Sequence, residues 1–219
     1  MAAARVAVFG VGGVGSYAVE ALARAGVGHL LLVDADCIIA SNINRQIHAT
    51  WDTVGRIKVE AMRERVLAIN PGAEVEPLRL FYMPETADAV DVSRLDYIID
   101  AMDTVTAKIE LAVRATDRGT PLISCMSAGN KLDPSRFEVA DLFATSVCPL
   151  CRVMRKELRA RGVSALRVVY SREQPRCAMP ADPETGRAAV PGSVSFVPSV
   201  AGLIAAGEAV SALAAQAPS

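Results

Sequence analysis

Several absences narrow what this chain is. Although 52% of its residues are apolar, no run reaches the roughly 18 to 20 uninterrupted apolar residues that a membrane span needs. The start, Met1-Ala-Ala-Ala-Arg5, lacks the apolar core and cleavage pattern of a secretory signal, so a cytoplasmic location is expected. The five cysteines (Cys37, Cys125, Cys148, Cys151 and Cys177) are an odd number in a chain without an export signal, which argues against a disulfide framework and for reduced thiols. No internal repeat is present. A net charge of −1 gives no overall bias toward nucleic acid. At 219 residues the chain is long enough for one well-buried core and short for two, so a single domain spanning 1–219 is expected.

What is present begins at Arg5. Arg5 to Phe9 is a short β-branched and apolar run, Gly10-x-Gly12-x-x-Gly15 follows, and Ser16 opens an apolar helical pattern (Tyr17, Val19, Ala21, Leu22) that stops at Gly26. Strand, glycine loop and helix in that order form a phosphate-binding turn. The first glycine permits the turn, the second lets backbone N–H groups approach a phosphate, and the third lets helix pack on strand. Phosphate oxygens then face the positive helix N-terminus. His29 to Val33 is a second buried strand, and Asp34 stands 24 residues after Gly10, near the offset at which an acidic side chain receives ribose hydroxyls.

The polar segment Ser41 to His48 then falls where a dehydrogenase would be expected to continue with a crossover helix. The periodicity of Val59, Met62, Val66 and Ile69 predicts a helix over Gly55–Asn70, with Lys58 in its first turn but off the apolar stripe. A lysine there opposes the helix dipole, a placement that makes sense beside an anion. Strands are expected at Glu74–Leu80, Tyr97–Ala101 and Leu122–Cys125, with helices at Pro84–Val90 and Thr104–Arg118. The alternation through Met126 specifies a Rossmann-like, doubly wound, mostly parallel α/β sheet whose ligands bind beyond the carboxyl ends of the strands. Gly10 to Gly15, Asp34 and Asp103 occupy such ends and are expected to face one crevice. The C-terminal part, 131–219, adds strands at Phe137–Leu142, Leu166–Tyr170 and Ser193–Val197. It also adds a helix at Leu150–Arg161, a long loop over Ser171–Gly192 and a final helix from Pro198 to Ala214.

Five features, Gly10-x-Gly12-Gly13-x-Gly15-Ser16, Asp34-x-Asp36, Asn42-x-x-Arg45-Gln46, Lys58, and Asp103 after an apolar strand, resemble the ThiF-type adenylating superfamily of ubiquitin-activating enzymes and sulfur-carrier activators. They cover roughly the nucleotide-binding core, 5–130. The resemblance implies attack by a substrate carboxylate or other oxygen nucleophile on the α-phosphate of ATP, a reaction that needs alignment and charge neutralisation more than a protein nucleophile. It assigns the phosphates to Gly10, Gly12, Gly13 and Gly15, the ribose to Asp34 within the Asp34-x-Asp36 pair, charge neutralisation to Arg45 and Lys58, positioning to Asn42, and Mg²⁺ to Asp103.

Asn42 to His48, Ala128 to Pro134, Thr145 to Arg152, Val168 to Pro175 and Gly192 to Gly202 look like the tRNA threonylcarbamoyladenosine dehydratase group of that superfamily. That resemblance implies ATP-dependent cyclisation of a threonylcarbamoyl group on an adenosine beside the tRNA anticodon, a tRNA partner, and a homodimer. The group's usual helical segment ahead of the first strand, with an arginine reaching the partner subunit's ATP, has no counterpart before Arg5. Sulfur-carrier activators commonly close a structural zinc with two CxxC pairs. Here only Cys148-Pro-Leu-Cys151 is present and both histidines, His29 and His48, lie early, so structural zinc is not expected. Cys177, in the long loop, is a candidate acceptor thiol, although cyclisation of an adenylate needs none.

Independently of family, Arg152 to Arg176 holds eight Lys/Arg against Glu157 and Glu173, a local balance of +6. Arg152, Arg155, Lys156 and Arg159 share one helical face, a stripe suited to RNA phosphates or to plain solvent. The rival readings are an activator of a ubiquitin-like or sulfur-carrier protein, an NAD-binding oxidoreductase, and a non-catalytic tRNA-binding scaffold.

Overall fold

The computed structural model describes residues 1–176 and 192–216. Seven strands form one sheet in the order β3-β2-β1-β4-β5-β7-β6. They are β1 (Arg5–Phe9), β2 (His29–Val33), β3 (Glu74–Leu78), β4 (Tyr97–Asp100), β5 (Leu122–Cys125), β6 (Phe137–Asp141) and β7 (Arg167–Ser171). All neighbours pair in parallel except β6, which runs antiparallel to β7 at one edge. β1 explains why the central strands read as unbroken apolar runs. Val6 and Val8 enter the core beneath α1 (Gly15–Arg24), α2 (Lys58–Ile69) and α5 (Phe196–Gln216), whereas Ala7 and Phe9 enter the core beneath α3 (Val105–Arg118) and α4 (Pro149–Ala160).

Three local expectations are corrected. The helix expected from Gly55 starts only at Lys58. Gly55 has φ +90° and donates its N–H to Ile38, while Ile57 bridges Cys37, so the segment is engaged as a short ladder before the helix begins. The helix expected at Pro84–Val90 is reduced to a 3₁₀ turn at Ala87–Ala89. There the Thr86 hydroxyl takes the Met83 N–H and donates to the Phe81 carbonyl, diverting groups that a helix would use.

The strand expected at Ser193–Val197 does not form either, and α5 begins at Phe196. A four-residue apolar period, Val197, Ala201, Ala205, Ala209 and Leu213, overrides the brief alternation before it, and all five side chains are buried. Gly202 lets α5 lie directly on α1, because a Cβ there would sit 2.2 Å from the Val14 carbonyl oxygen. Over Phe196–Ala215, α5 has a mean hydropathy of 1.6 and is long and apolar enough to cross a membrane, yet this buried face is packed on α1 and the sheet. Of the loop expected over Ser171–Gly192, Ser171 closes β7, and residues 177–191, with Cys177, lie outside the described residues.

Candidate active site

A cavity of about 770 Å³ opens beyond the carboxyl ends of β1, β2, β4 and β5. Gly10, Gly12 and Gly13 line it from the loop after β1, Asp34 and Asp36 from the end of β2, and Asn42 and Arg45 from the polar segment. Lys58 lines it from the start of α2 and Asp103 from the end of β4. These expected residues therefore come together. Gly15 stands behind the wall and has a different task.

Gly10 adopts φ +85°, and a Cβ on it would come within 2.8 Å of the Ala101 backbone. A Cβ on Gly15 would fall 1.8 Å from the Gly10 carbonyl oxygen. The turn is thus closed so tightly on β4 that only hydrogen fits at either position. α1 then starts without a side-chain cap, leaving N–H groups at its positive end available to an anion.

Asp34 does more than face the cavity. Its Oδ2 accepts the Val11 N–H at 2.7 Å and its Oδ1 accepts the Asp36 N–H at 2.9 Å, which pins the glycine loop to β2. Burial raises its pKa, against the opposing effects of the Lys58 charge and these two N–H donors. Lys58 Nζ donates to Asp36 Oδ2 at 2.7 Å and lies 3.8 Å from Asp34 Oδ1. The anion anticipated beside this helix-start lysine is therefore this carboxylate pair, and Lys58 is held, almost fully buried, at the cavity wall.

The polar segment folds as a 3₁₀ turn, Ala40–Asn42, in which buried Asn42 accepts the Ile39 N–H. Arg45 donates to the Ser41 carbonyl at 2.8 Å and to Asn44 Oδ1 at 3.0 Å, and its stem crosses Gly13. Asn44 ties the segment to the approach of α5 by donating to the Ser193 carbonyl. Gln46 Oε1 and both ring nitrogens of His48 are buried without partners among the described residues. Burial first, then the Lys58 and Arg65 charges, pull the His48 imidazole down to about 4, so it is neutral near pH 7.

Asp103 is exposed at the opposite wall, where among the described residues its carboxylate has only a 3.4 Å contact from the Thr104 hydroxyl. No group of three or more His, Cys, Asp or Glu is assembled for a metal among the described residues. A single free carboxylate suits Mg²⁺, whose remaining ligands are commonly phosphate oxygens and water. Leu80, Phe81, Met102 and Leu150 add apolar side chains to the cavity lining, and none of them was expected to have a role in the site.

Sequence reasoning also missed a cluster under this wall. Lys108 Nζ donates to Asp100 Oδ2 at 2.9 Å, to Ser124 Oγ at 3.2 Å and to the Cys125 carbonyl at 2.8 Å. The signal was available: Lys108 falls on the stripe of Leu111, Ala112 and Ala115 that α3 buries.

The basic stripe of α4 is not uniform. Arg155 turns inward and donates to the carbonyl and hydroxyl of Thr145, and the Arg159 guanidinium lies 5.3 Å from the centroid of the Phe143 ring. Arg161, Arg167 and Arg172 pair with Glu157, Glu208 and Glu138. Arg152 and Lys156 remain exposed, with no ion pair among the described residues. At the start of α4, Cys148 is the N-cap, and its thiol is pulled below the usual thiol range, first by a hydrogen bond from the Cys151 thiol.

The ThiF family model matches residues 1–219. The chain is 47% identical over 215 residues to the tRNA threonylcarbamoyladenosine dehydratase of Bacillus subtilis, covering 94% of this chain and 85% of the relative. Its fold is similar to that of the Escherichia coli tRNA N6-threonylcarbamoyladenosine dehydratase TcdA in complex with AMP. That match has a TM-score of 0.89 and 33% identity and covers 98% of this chain and 87% of the other. The ATP complex of the same enzyme gives a TM-score of 0.85 at 33% identity, with the same coverage. With a whole-length family match, a relative of this identity and a cavity built from the motif residues, the chain belongs to the ThiF family.

Proposed function

We propose that the chain is an ATP-dependent tRNA threonylcarbamoyladenosine dehydratase. The observation that carries this reading is the convergence of glycine loop, Asp34-x-Asp36, Asn42, Arg45, Lys58 and Asp103 on one cavity. The high identity to a dehydratase over nearly the whole chain supports the choice of substrate.

In this reading the threonylcarbamoyl carboxylate attacks the α-phosphorus of ATP. A carboxylate-oxygen-to-phosphorus bond forms, the bond to the β-phosphate oxygen breaks, and pyrophosphate leaves. The carbamoyl group then attacks the activated carbonyl carbon and AMP departs, so that the nucleoside has lost the elements of water. The N–H groups at the start of α1 and the glycine loop cradle phosphate oxygens. Asp34 takes ribose hydroxyls with the acceptor capacity left after holding Val11 and Asp36.

Lys58 and Arg45 neutralise charge that grows on the phosphates in the transition state, and Asn42 orients them. Lys58 suits this task because it is desolvated and already fixed, and preorganised charge in a low-dielectric wall acts far more strongly than charge in water. Asp103 would hold Mg²⁺ together with phosphate oxygens, and the ion would supply further charge neutralisation there.

The exposed apolar side chains of Phe196 and Leu203 on α5 suit the homodimer of this reading, and exposed Arg152 and Lys156 suit tRNA phosphates. The cytoplasm is the matching location. ATP–pyrophosphate exchange in the presence of threonylcarbamoylated tRNA tests the site assignment. Replacing Arg45 by Ala is expected to suppress the exchange, and exchange at the wild-type rate contradicts the assigned role.

A further inference from the structure

We infer that buried Lys108 is a positioning residue for the adenylation site, locking together the two neighbouring strand ends, of β4 and β5, that carry adjoining parts of the cavity wall. The inference rests on the adenylation reading but concerns three side chains, those of Lys108, Asp100 and Ser124, that do not line the cavity.

Lys108 is 1% exposed, as is Asp100, and Ser124 is fully buried. The three ammonium protons meet three acceptors, Asp100 Oδ2, Ser124 Oγ and the Cys125 carbonyl. Ser124 Oγ donates to the same Asp100 oxygen at 2.6 Å, and Asp100 Oδ1 takes the Met102 N–H at 3.1 Å. Every strong donor and acceptor of the cluster is therefore used, and the partners belong to three elements: α3, the end of β4 and the end of β5.

Both strand ends lead straight into the site. After Asp100 comes Ala101, the backbone against which Gly10 closes, then Met102, fixed by Asp100, and then Asp103. After Cys125 come Met126 to Gly129, which line the cavity from the β5 side. Lys131 Nζ holds this second wall again by donating to the Ser127 carbonyl at 2.9 Å. One lysine thus fixes the footing of the glycine loop, the approach to Asp103 and the start of the β5 wall.

Stability alone gives a weak reason for such a cluster. A buried ion pair costs desolvation, and a well-packed apolar replacement is often as stable or more so. What an apolar trio cannot reproduce is the directional tie between two strand ends. A displacement of about an ångström at a site that works by alignment costs on the order of 100-fold in rate.

The test replaces the cluster as a unit, because removing one charge leaves the other buried and unpaired. In the variant Asp100→Leu, Lys108→Met, Ser124→Ala, the melting temperature is expected to stay near or above the wild-type value. Its kcat per nucleotide-binding site, counted by AMP titration, is expected to fall about 100-fold with little change in the KM for ATP. A folded variant with wild-type kcat per site overturns the inference and leaves the cluster a stability device.

If the triple variant does not fold, Ser124→Ala decides. A severalfold loss of kcat per site at unchanged melting temperature supports the positioning role, and unchanged kcat overturns it. A wild type that converts no nucleoside counts against the adenylation reading instead. The network is then judged from crystal structures of wild type and variant, where displacement of Asp103 and Ser127 is expected and superposition overturns the inference.

Discussion

Lys58 and Lys156 are both lysines on helices of 12 residues, yet the fold gives them opposite environments. Lys58 has a side chain 7% exposed, lies between two carboxylates and faces a cavity. Lys156 stands in solvent and, like Arg152, has neither an ion pair nor a ring contact among the described residues. A desolvated, fixed cation stabilises a particular charge at a particular place, whereas a solvated one contributes weakly and in a salt-dependent way. The first arrangement suits a chemical step and the second suits holding a polyanion.

The largest effect expected from this contrast is at Lys58. Lys58→Ala removes one preorganised cation and leaves Asp34 and Asp36 facing each other, and it is expected to cost about 2 to 4 kcal/mol of transition-state stabilisation, roughly 30- to 1,000-fold in single-turnover AMP formation. The matching change at Lys156 is expected to leave that rate unchanged at saturating tRNA. Equal effects at the two lysines break the comparison.

Next comes acid sensitivity on the crevice side. The folded-state His48 imidazole lies at about 4 against 6.5 for a free one, so below pH 6.5 the unfolded chain binds a proton that the folded chain refuses. Stability is therefore fully present above about pH 6.5 and falls as pH drops toward 4, by up to about 3 kcal/mol. Because neither ring nitrogen has a partner among the described residues, His48→Phe sacrifices no hydrogen bond seen there. It is expected to flatten this acid slope in urea melts between pH 4 and 7, and an unchanged slope assigns the sensitivity to other groups.

Within α4 itself, Arg155 and its neighbours are expected to separate. Arg155→Ala removes the charged donor that holds Thr145, at a cost of about 1.5 to 3 kcal/mol of folding stability by thermal or denaturant melts. Arg152→Ala with Lys156→Ala is expected to leave stability within about 0.5 kcal/mol. Instead it lowers the slope of log affinity for tRNA against log salt by about 0.7 to 0.9 for each phosphate that the protein no longer neutralises. A salt slope that responds to Arg155 and not to Arg152 and Lys156 reverses the division drawn on this helix.

Much of this was legible in the residues. The glycine spacing, the apolar strands and the acidic strand ends placed the sheet and one crevice, because covered parallel strands and a tight βα turn leave strong local patterns. Lys58 was visible as a cation where the helix dipole disfavours one. Asp34's hold on Val11, however, joins residues 23 apart, and no local pattern reports it. Likewise the α4 stripe looked like one face by spacing alone, since nothing in the periodicity says that Thr145 captures Arg155 and that Phe143 lies under Arg159. The false strand at Ser193–Val197 has the same origin: a few alternating apolar residues resembled a strand until the longer four-residue period of α5 decided the matter. Lys108 is the instructive miss, because its place on the buried stripe of α3 was a local signal, and only its partners on β4 and β5 were not.

The most direct test of the central claim is mass analysis of nucleosides digested from threonylcarbamoylated tRNA after incubation with the protein, ATP and Mg²⁺. The account predicts that threonylcarbamoyladenosine becomes a nucleoside lighter by one water, with AMP formed in step and neither change seen without ATP. Threonylcarbamoyladenosine of unchanged mass after incubation with folded, ATP-binding protein would contradict it.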